Sequence, residues 1–489
     1  MIKRKRKSIR KLDGARKRAL ESDDVKTDNI KRFKKEDELM EEDIIEKIEK
    51  YLPIRENEKK KFGEVFTSYE IINDMLNNLP NEVWKNPSLK WLEPANGIGN
   101  FPMVIYNRLM ESLIDFEKDK NARHNHIIKN MLYMIELNPK NVEISKDFFG
   151  EEANIYCGDF LKEEWKDVFK VDKFDIIVGN PPFNKGGIRS KTGKNFIEGE
   201  KNVIIWPSFI KKSFEYLKEN GFLVFINPLS WLKKNDSLHN LMLEKHIIWL
   251  KILDCKQSLL IINAKIAISL YVLHNKKNIE EEKTKVISII KGKKLITESY
   301  EYLNQKYSIP LAYHNIFNKL IHFIEKKNLK LEYKTTTIKV NKNIPTIKIP
   351  LEYGLEDMLA VETYTIKEGL MVKKITDKKH IDMKTRKLII ANKSSFEGAF
   401  IDEGKLGLSG LDKSYIVGDN LELILKMLNF KISKIVSNFT KYRQDFLDKE
   451  IYSFLPDIRK LGITNIEEND LYVLIGFTPE EILQIYQNH

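Results

Sequence analysis

The tetrapeptide Asn180-Pro181-Pro182-Phe183 follows directly on the apolar run Phe174-Asp175-Ile176-Ile177-Val178-Gly179. Proline fixes φ and carries no N–H. The carbonyls of this segment therefore cannot all be absorbed into a sheet ladder. A strand that ends this way presents a rigid rim of acceptors, a side-chain amide and an aromatic face. Those groups suit a planar amine that must be held and attacked through its lone pair. A tight turn after a core strand would use the same residues, and the upstream sequence decides between the two.

Upstream, Glu93-Pro94-Ala95-Asn96-Gly97-Ile98-Gly99-Asn100-Phe101 closes one apolar run and opens a helical stretch. Gly97 and Gly99 permit a tight turn and close backbone approach by a ligand. The following helix offers free N–H groups to a carboxylate. Glu93 suits an ammonium group and would not welcome a phosphate, which points to an amino-acid moiety. Glu136 ends the next run, in Met134-Ile135-Glu136-Leu137-Asn138, where an acid can accept two ribose hydroxyls. Asp159 ends the third, in Tyr156-Cys157-Gly158-Asp159-Phe160, and can accept from an adenine amino group. Each acid alone is more readily a loop solubiliser. Together, in order, on three consecutive strand ends of one parallel sheet, they describe a nucleoside bearing an amino acid. That molecule is S-adenosylmethionine.

The elements that must position these groups read as a βαβ rhythm. Short apolar runs at 89–92, 131–137, 153–157, 174–178, 221–227, 247–253 and 265–273 have helical patterns between the earlier ones, which predicts a mostly parallel sheet. The last two runs leave no room for a crossover helix and are expected to pair antiparallel at one edge. Gly186-Gly187 and the polar residues to Asn195 read as a mobile loop over the pocket or a plain surface loop. The charged stretch from Lys276 to Lys285 reads as a linker. Beyond it the rhythm is lost. A helix is expected over 312–327, β-rich pieces over 329–340 and 363–372, and helices over 420–439 and 478–486. Thr478-Pro479-Glu480-Glu481 has the cap, proline and acids of a helix start.

The chain has 489 residues, 42% hydrophobic and 31% charged, with room for two or three domains. It has no apolar run of membrane-spanning length and no signal-peptide core, so an intracellular protein with no membrane partner is expected. The formal net charge of +12 favours a polyanionic partner, although a lysine-rich coding bias produces the same excess. Residues 1–60 stand apart. Lys3-Arg4-Lys5-Arg6-Lys7, Arg10-Lys11 and Arg16-Lys17-Arg18 form a basic arm, read as partly disordered, and Ile44, Ile45, Ile48 and Leu52 follow at helical spacing. The arm suits a nuclear-import signal, a non-specific DNA contact or a plain solvated tail, which leaves nuclear and viral-factory locations open. Cys157 and Cys255 both sit in apolar strand-like segments and are expected to be buried, inert thiols. No Cys/His cluster has metal-ligand spacing, so no metal is expected.

In their order, these motifs resemble the gamma group of DNA amino-methyltransferases, known from restriction–modification systems and some large DNA viruses. The resemblance covers roughly residues 61–275. Gly63-Glu64-Val65-Phe66-Thr67 is similar to the motif that contacts the methionine end of the cofactor, with Ser68 where a proline is usual. The segments from Trp206-Pro207 to Asn227-Pro228 resemble the part that closes the catalytic pocket. The resemblance implies an α/β, Rossmann-like S-adenosylmethionine-dependent methyltransferase domain with a C-terminal α+β target-recognition domain at 276–489. It implies cofactor contacts at Thr67, Glu93, Pro94, Ala95, Gly97, Gly99, Glu136 and Asp159, and catalysis at Asn180, Pro181, Pro182 and Phe183. Asparagine at 180 resembles the adenine-specific members. The implied partners are double-stranded DNA and, in a restriction system, a separate cognate endonuclease. A second aromatic that such enzymes stack on the target base has no counterpart here. Ile261 or Ile262 stands in its place, and Trp206 or Trp231 is the alternative ring. Two other readings of the same motifs are a protein-glutamine or RNA-base methyltransferase and a catalytically inactive DNA-binding relative.

Overall fold

The computed structural model describes residues 67–185, 203–262, 265–290, 295–335, 345–349, 359–365, 369–374, 384–391, 396–408, 413–442, 447 and 449–488. The basic arm, the motif residues 63–66 and the loop expected at 186–195 lie outside them.

A nine-stranded sheet organises the site. Its strands are β1 (Trp91–Glu93), β2 (Leu132–Glu136), β3 (Asn154–Cys157), β4 (Phe174–Gly179), β5 (Leu217–Pro228), β6 (Lys245–Leu253), β7 (Ile268–Lys277), β8 (Thr284–Ile290) and β9 (Leu295–Glu301). Their order is β3-β2-β1-β4-β5-β7-β6-β8-β9. The first five in that order are parallel, and β7 lies antiparallel between β5 and β6. This is the Rossmann-like arrangement read from the sequence. The chain moves outward from β1 through β2 to β3, then returns to place β4 on the other side of β1. The order therefore reverses at β1 and β4, and in such sheets ligands bind outside the carboxyl ends of the two strands at that reversal.

Continuous apolar runs make the central strands β1, β2 and β4 because both faces are covered. Successive residues of one strand enter opposite cores. Leu92, Ile135, Ile177, Leu223 and Phe225 face one side, and Trp91, Met134, Ile176, Val178 and Val224 face the other. Helices Asn100–Ser112 and Pro139–Phe149 cross from β1 to β2 and from β2 to β3, and Trp206–Tyr216 precedes β5.

Three expectations change here. The antiparallel pair of β6 and β7 forms as read, but it does not end the sheet. β8 joins β6 in parallel and β9 joins β8 antiparallel. The charged stretch read as a linker is accordingly the end of β7 and its connection to β8. Its lysines hide the strand: Lys276, near the end of β7, is paired to Glu282 at 2.5 Å. The cysteines differ as well. Cys157 is exposed and Cys255 half-exposed. Cys157 is the last residue of edge strand β3, and Cys255 opens the helix Cys255–Ile261 rather than lying in a strand.

The described residues beyond β9 form two four-stranded sheets and several helices, an α+β composition. One sheet runs through Lys334–Thr335, Lys413–Val417, Lys387–Ala391 and Phe400–Asp402. It buries an ion pair between Lys387 and Asp402 at 2.5 Å. Helices His314–Lys326, Leu421–Leu428, Lys431–Phe439, Glu468–Ile475 and Pro479–Asn488 share a hydrophobic core with one face of the nine-stranded sheet. The helix start read at Thr478 is a reciprocal cap, in which Thr478 Oγ1 accepts from the Glu481 N–H and Glu481 Oε2 from the Thr478 N–H. Among the described residues, no helix is long and apolar enough to cross a membrane.

Candidate active site

The turn after β1 is built as its glycines suggest. Gly97 and Gly99 have φ of +58° and +94°. Gly99 is the left-handed residue that opens helix Asn100–Ser112. A β-carbon on Gly99 would press to 3.1 Å from the Phe149 ring, whereas one on Gly97 would meet nothing within 4 Å. Gly99 thus serves packing of the turn, and Gly97 leaves an open cradle over the backbone where a ligand can approach.

Glu93 is buried at the root of this turn, with Oε1 accepting from the Ala95 N–H at 3.1 Å. Burial pushes its carboxyl well above the usual carboxylate range. The Ala95 N–H pulls it back in part, and the nearby Glu136 raises it further. Glu136, also buried, accepts from the Gly97 N–H at 2.7 Å through one oxygen and from the Asn138 N–H at 2.7 Å through the other. The end of β2 therefore holds the glycine turn in place. Asp159 is less enclosed: Oδ1 accepts from the Leu161 N–H at 3.0 Å, and Oδ2 pairs with Lys162 at 3.1 Å. Exposed Leu137, directly after Glu136, adds an apolar surface at the same lip.

The corner after β4 adjoins this turn. β1 and β4 are hydrogen-bonded neighbours with Leu92 opposite Ile177. Gly179 lies against Glu93 so closely that a β-carbon there would stand 2.8 Å from the carboxylate carbon. Asn180 donates from Nδ2 to Thr67 Oγ1 at 3.1 Å, and Asn100, the first residue of the helix after the turn, donates to the Thr67 carbonyl at 3.3 Å. Buried Thr67 thus ties the Asn-Pro-Pro-Phe corner to the glycine turn. With its nitrogen engaged, Asn180 keeps its carbonyl oxygen as acceptor. Pro181 is buried, and Pro182 and Phe183 are half-buried. Phe183 contacts the cores on both faces of the sheet. Its carbonyl accepts from the Ile205 N–H at 3.2 Å, and Lys185 N–H donates to Val203 O at 2.9 Å. These bonds clip the corner to the start of helix Trp206–Tyr216.

The structure brings together Thr67, Glu93, Ala95, Gly97, Gly99, Glu136 and Asn180 through these contacts. Asp159 stands at the next strand end, reached through β3. Neither tryptophan offers a free ring face. Trp206 is buried, and Trp231 is enclosed, donating to Ser269 Oγ at 2.9 Å and packed edge-on to Tyr271. Ile262 is buried and Ile261 half-buried. Sequence reasoning missed Asn96. Its N–H donates to Ile135 O at 2.9 Å and its Nδ2 to Ser145 Oγ at 2.7 Å, fastening the turn to β2 and to helix Pro139–Phe149. An amide between the two turn residues Ala95 and Gly97 was the available signal.

A profile of the Eco57I restriction-modification methylase family matches residues 5–260. A protein of Mycoplasma pneumoniae (strain ATCC 29342 / M129 / Subtype 1) described as an uncharacterized adenine-specific methylase is 26% identical over 242 residues, covering 35% of this chain and 56% of its own length. Modification methylase CviBIII of Paramecium bursaria Chlorella virus NC1A is 27% identical over 173 residues, covering 35% of this chain and 39% of its own. The chain thus spans 56% and 39% of these relatives' lengths. Among solved structures, the Type IIL restriction-modification enzyme MmeI in complex with DNA aligns with a TM-score of 0.45 at 13% identity, over 88% of this chain and 75% of that one. With more than half of its residues matched by that profile, the chain belongs to the Eco57I restriction-modification methylase family.

Proposed function

We propose that this protein is a site-specific DNA adenine-N6 methyltransferase that uses S-adenosylmethionine. The observation that carries the reading is the junction of the two motifs. Gly179 packs on Glu93, and Asn180 shares Thr67 with the helix that opens at the glycine turn. A donor seated on the turn and an amine held at the corner would face each other across one crevice.

The residues fit this cofactor. The open cradle at Gly97 and the N–H groups of helix Asn100–Ser112 suit its carboxylate, Glu93 its ammonium, Glu136 its ribose hydroxyls and Asp159 its adenine amino group. Pro94 and Ala95 line the start of the turn. When bound, S-adenosylmethionine supplies an electrophilic methyl group on a sulfonium. The protein's part is to prepare the nucleophile. The lone pair of adenine's amino nitrogen is delocalised into the ring. Asn180 Oδ1 and the Pro181 carbonyl accept hydrogen bonds from its two N–H bonds, draw the nitrogen toward tetrahedral geometry and localise the pair, while Phe183 packs on the ring; the methylated nitrogen then releases one proton to solvent. Positioning in line with the methyl group supplies the rest of the rate. The target base leaves the duplex stack to reach this corner.

Asparagine at 180, and a relative described as an adenine-specific methylase, favour adenine as the target. The nine-stranded sheet, which takes up residues 61–275 and runs on through β8 and β9, is assigned to catalysis, and the residues beyond it to 489 to target recognition, with lysines and arginines of the latter on DNA phosphates. A separate cognate endonuclease is the partner a restriction–modification role implies. The test is methylome sequencing of DNA from cells expressing the chain. N6-methyladenine at one recurring sequence is the expected result. Unmodified DNA, with label from the cofactor appearing instead in RNA or protein, would sink the reading.

A further inference from the structure

The sheet end that carries Asn180 also carries an aliphatic ridge with no structural task. β7 pairs antiparallel with both β5 and β6, so β6 runs in the same direction as β5 and its parallel neighbour β4. The chain therefore leaves β6 on the side of the Asn-Pro-Pro-Phe corner. There it forms the helix Cys255–Ile261, capped by Asp254 Oδ1 accepting from the Gln257 N–H at 2.8 Å. Its inward side is Ser258 and Ile262, both buried. Leu259 and Leu260 turn outward and are 41% and 62% exposed, and Ile266, just before β7, is 41% exposed. Val203 and Ile204, which pair with the residues after Phe183, are exposed on the same end.

Exposed leucines at successive positions of a short capped helix contribute nothing to the core, and each costs solvation. Their neighbours say what covers them. Lys256 precedes Leu259 and Leu260 by three and four residues, so it shares their side of the helix, and Lys265 adjoins Ile266; both lysines are exposed. An aliphatic tip flanked by cations suits duplex DNA, whose base faces are apolar and whose phosphates stand at either side.

Resting on the methyltransferase reading, we propose that Leu259, Leu260 and Ile266 form a wedge that enters the duplex beside the target adenine and fills the stack as that base leaves. Lys256 and Lys265 hold the flanking phosphates. Apolar side chains inserted between base steps unstack and kink DNA in this way.

The experiment uses the full chain and two duplexes containing the site found by methylome sequencing. In one the target adenine is paired with thymine; in the other it stands opposite an abasic position, so that no pair must be broken. The double variant Leu259→Ser, Leu260→Ser should lose at least about tenfold in methylation of the paired duplex and less than about twofold on the abasic one. With 2-aminopurine at the target position, its fluorescence rise on binding should shrink. Leu260→Met should keep near wild-type rates on both, and an unchanged melting temperature would show that the variants fold. Equal loss on the two duplexes, or no loss on either, overturns the wedge while leaving the methyltransferase reading standing. A wild-type protein that methylates neither duplex overturns both.

Discussion

The carboxylate of Glu93 and the α-carbon of Gly179 are in contact across two adjacent parallel strands, with no room for a methyl group between them. This contact sets the spacing between the glycine turn and the Asn-Pro-Pro-Phe corner. Gly179→Ala should therefore do two things. It forces a side chain into a filled site at φ of +150°, which costs about 1–3 kcal/mol of stability. It also pushes the Glu93 carboxylate off the Ala95 N–H, weakening cofactor affinity. Adding Glu93→Ala should restore much of the melting temperature but none of the affinity. Wild-type cofactor binding in the single variant, measured by calorimetry, would show that the contact does not position the site.

Asn180 and Thr67 are a second coupled pair, with Thr67 Oγ1 accepting from Asn180 Nδ2. Asn180→Ala should lower turnover at least ~100-fold, the scale of losing one aimed polar contact, with S-adenosylmethionine still bound. Thr67→Val leaves the amide free to rotate. It should lower turnover about five- to tenfold, the worth of one neutral hydrogen bond, with a smaller change in KM for DNA. Thr67→Ser should recover most of the rate. If Thr67→Val and Thr67→Ser behave alike, the hydroxyl does not orient Asn180.

Glu93 predicts a pH dependence with a definite sign. Burial raises its folded pKa above the unfolded value. The neutral form thus favours the folded state below the unfolded pKa, and that contribution is lost as pH rises through the folded value. An ammonium ligand favours the ionised form. Affinity for S-adenosylmethionine should then rise as pH climbs from the usual carboxylate range toward neutrality, and stabilisation by the ligand should grow with it. Methylthioadenosine, which lacks the ammonium and carboxylate, should show no such slope, and Glu93→Gln should flatten it. The same slope for both ligands would remove the ammonium from Glu93.

Much of the sheet and the motif-bearing strand ends could be read from the residues, for a physical reason. β2 and β4 are covered on both faces, so they appear as unbroken apolar runs, and the chemistry sits where each run stops. β9 escaped detection because it has one wet face: Ile296, Glu298 and Tyr300 are exposed in alternation along Leu295–Glu301, and charged residues precede its partner β8. The Thr67–Asn180 bond and the Asn96–Ser145 bond join residues far apart in the chain, and no local pattern signals them. The thiols were misjudged because an apolar neighbourhood in sequence does not say which strand lies at the sheet's edge. β3 does, and Cys157 is exposed there.

That exposure gives a direct test of where adenosine binds. Cys157 stands beside Glu136 in the register of β2 and β3 and two residues before Asp159. Burial, Glu136 and Glu163 raise its thiol above the ordinary value, so alkylation should be slow at neutral pH and quicken in mild alkali. S-adenosylmethionine at ten times its Kd should slow labelling of Cys157 by a maleimide about tenfold, by mass action. Cys255, on the helix after β6, should label at an unchanged rate, and a Cys255→Ser variant isolates the Cys157 signal. Asp159→Ala should shift the protection curve to higher cofactor concentration without altering labelling of the free protein. Cys157 that labels equally fast with and without saturating cofactor would place the adenosine elsewhere than at Glu136 and Asp159.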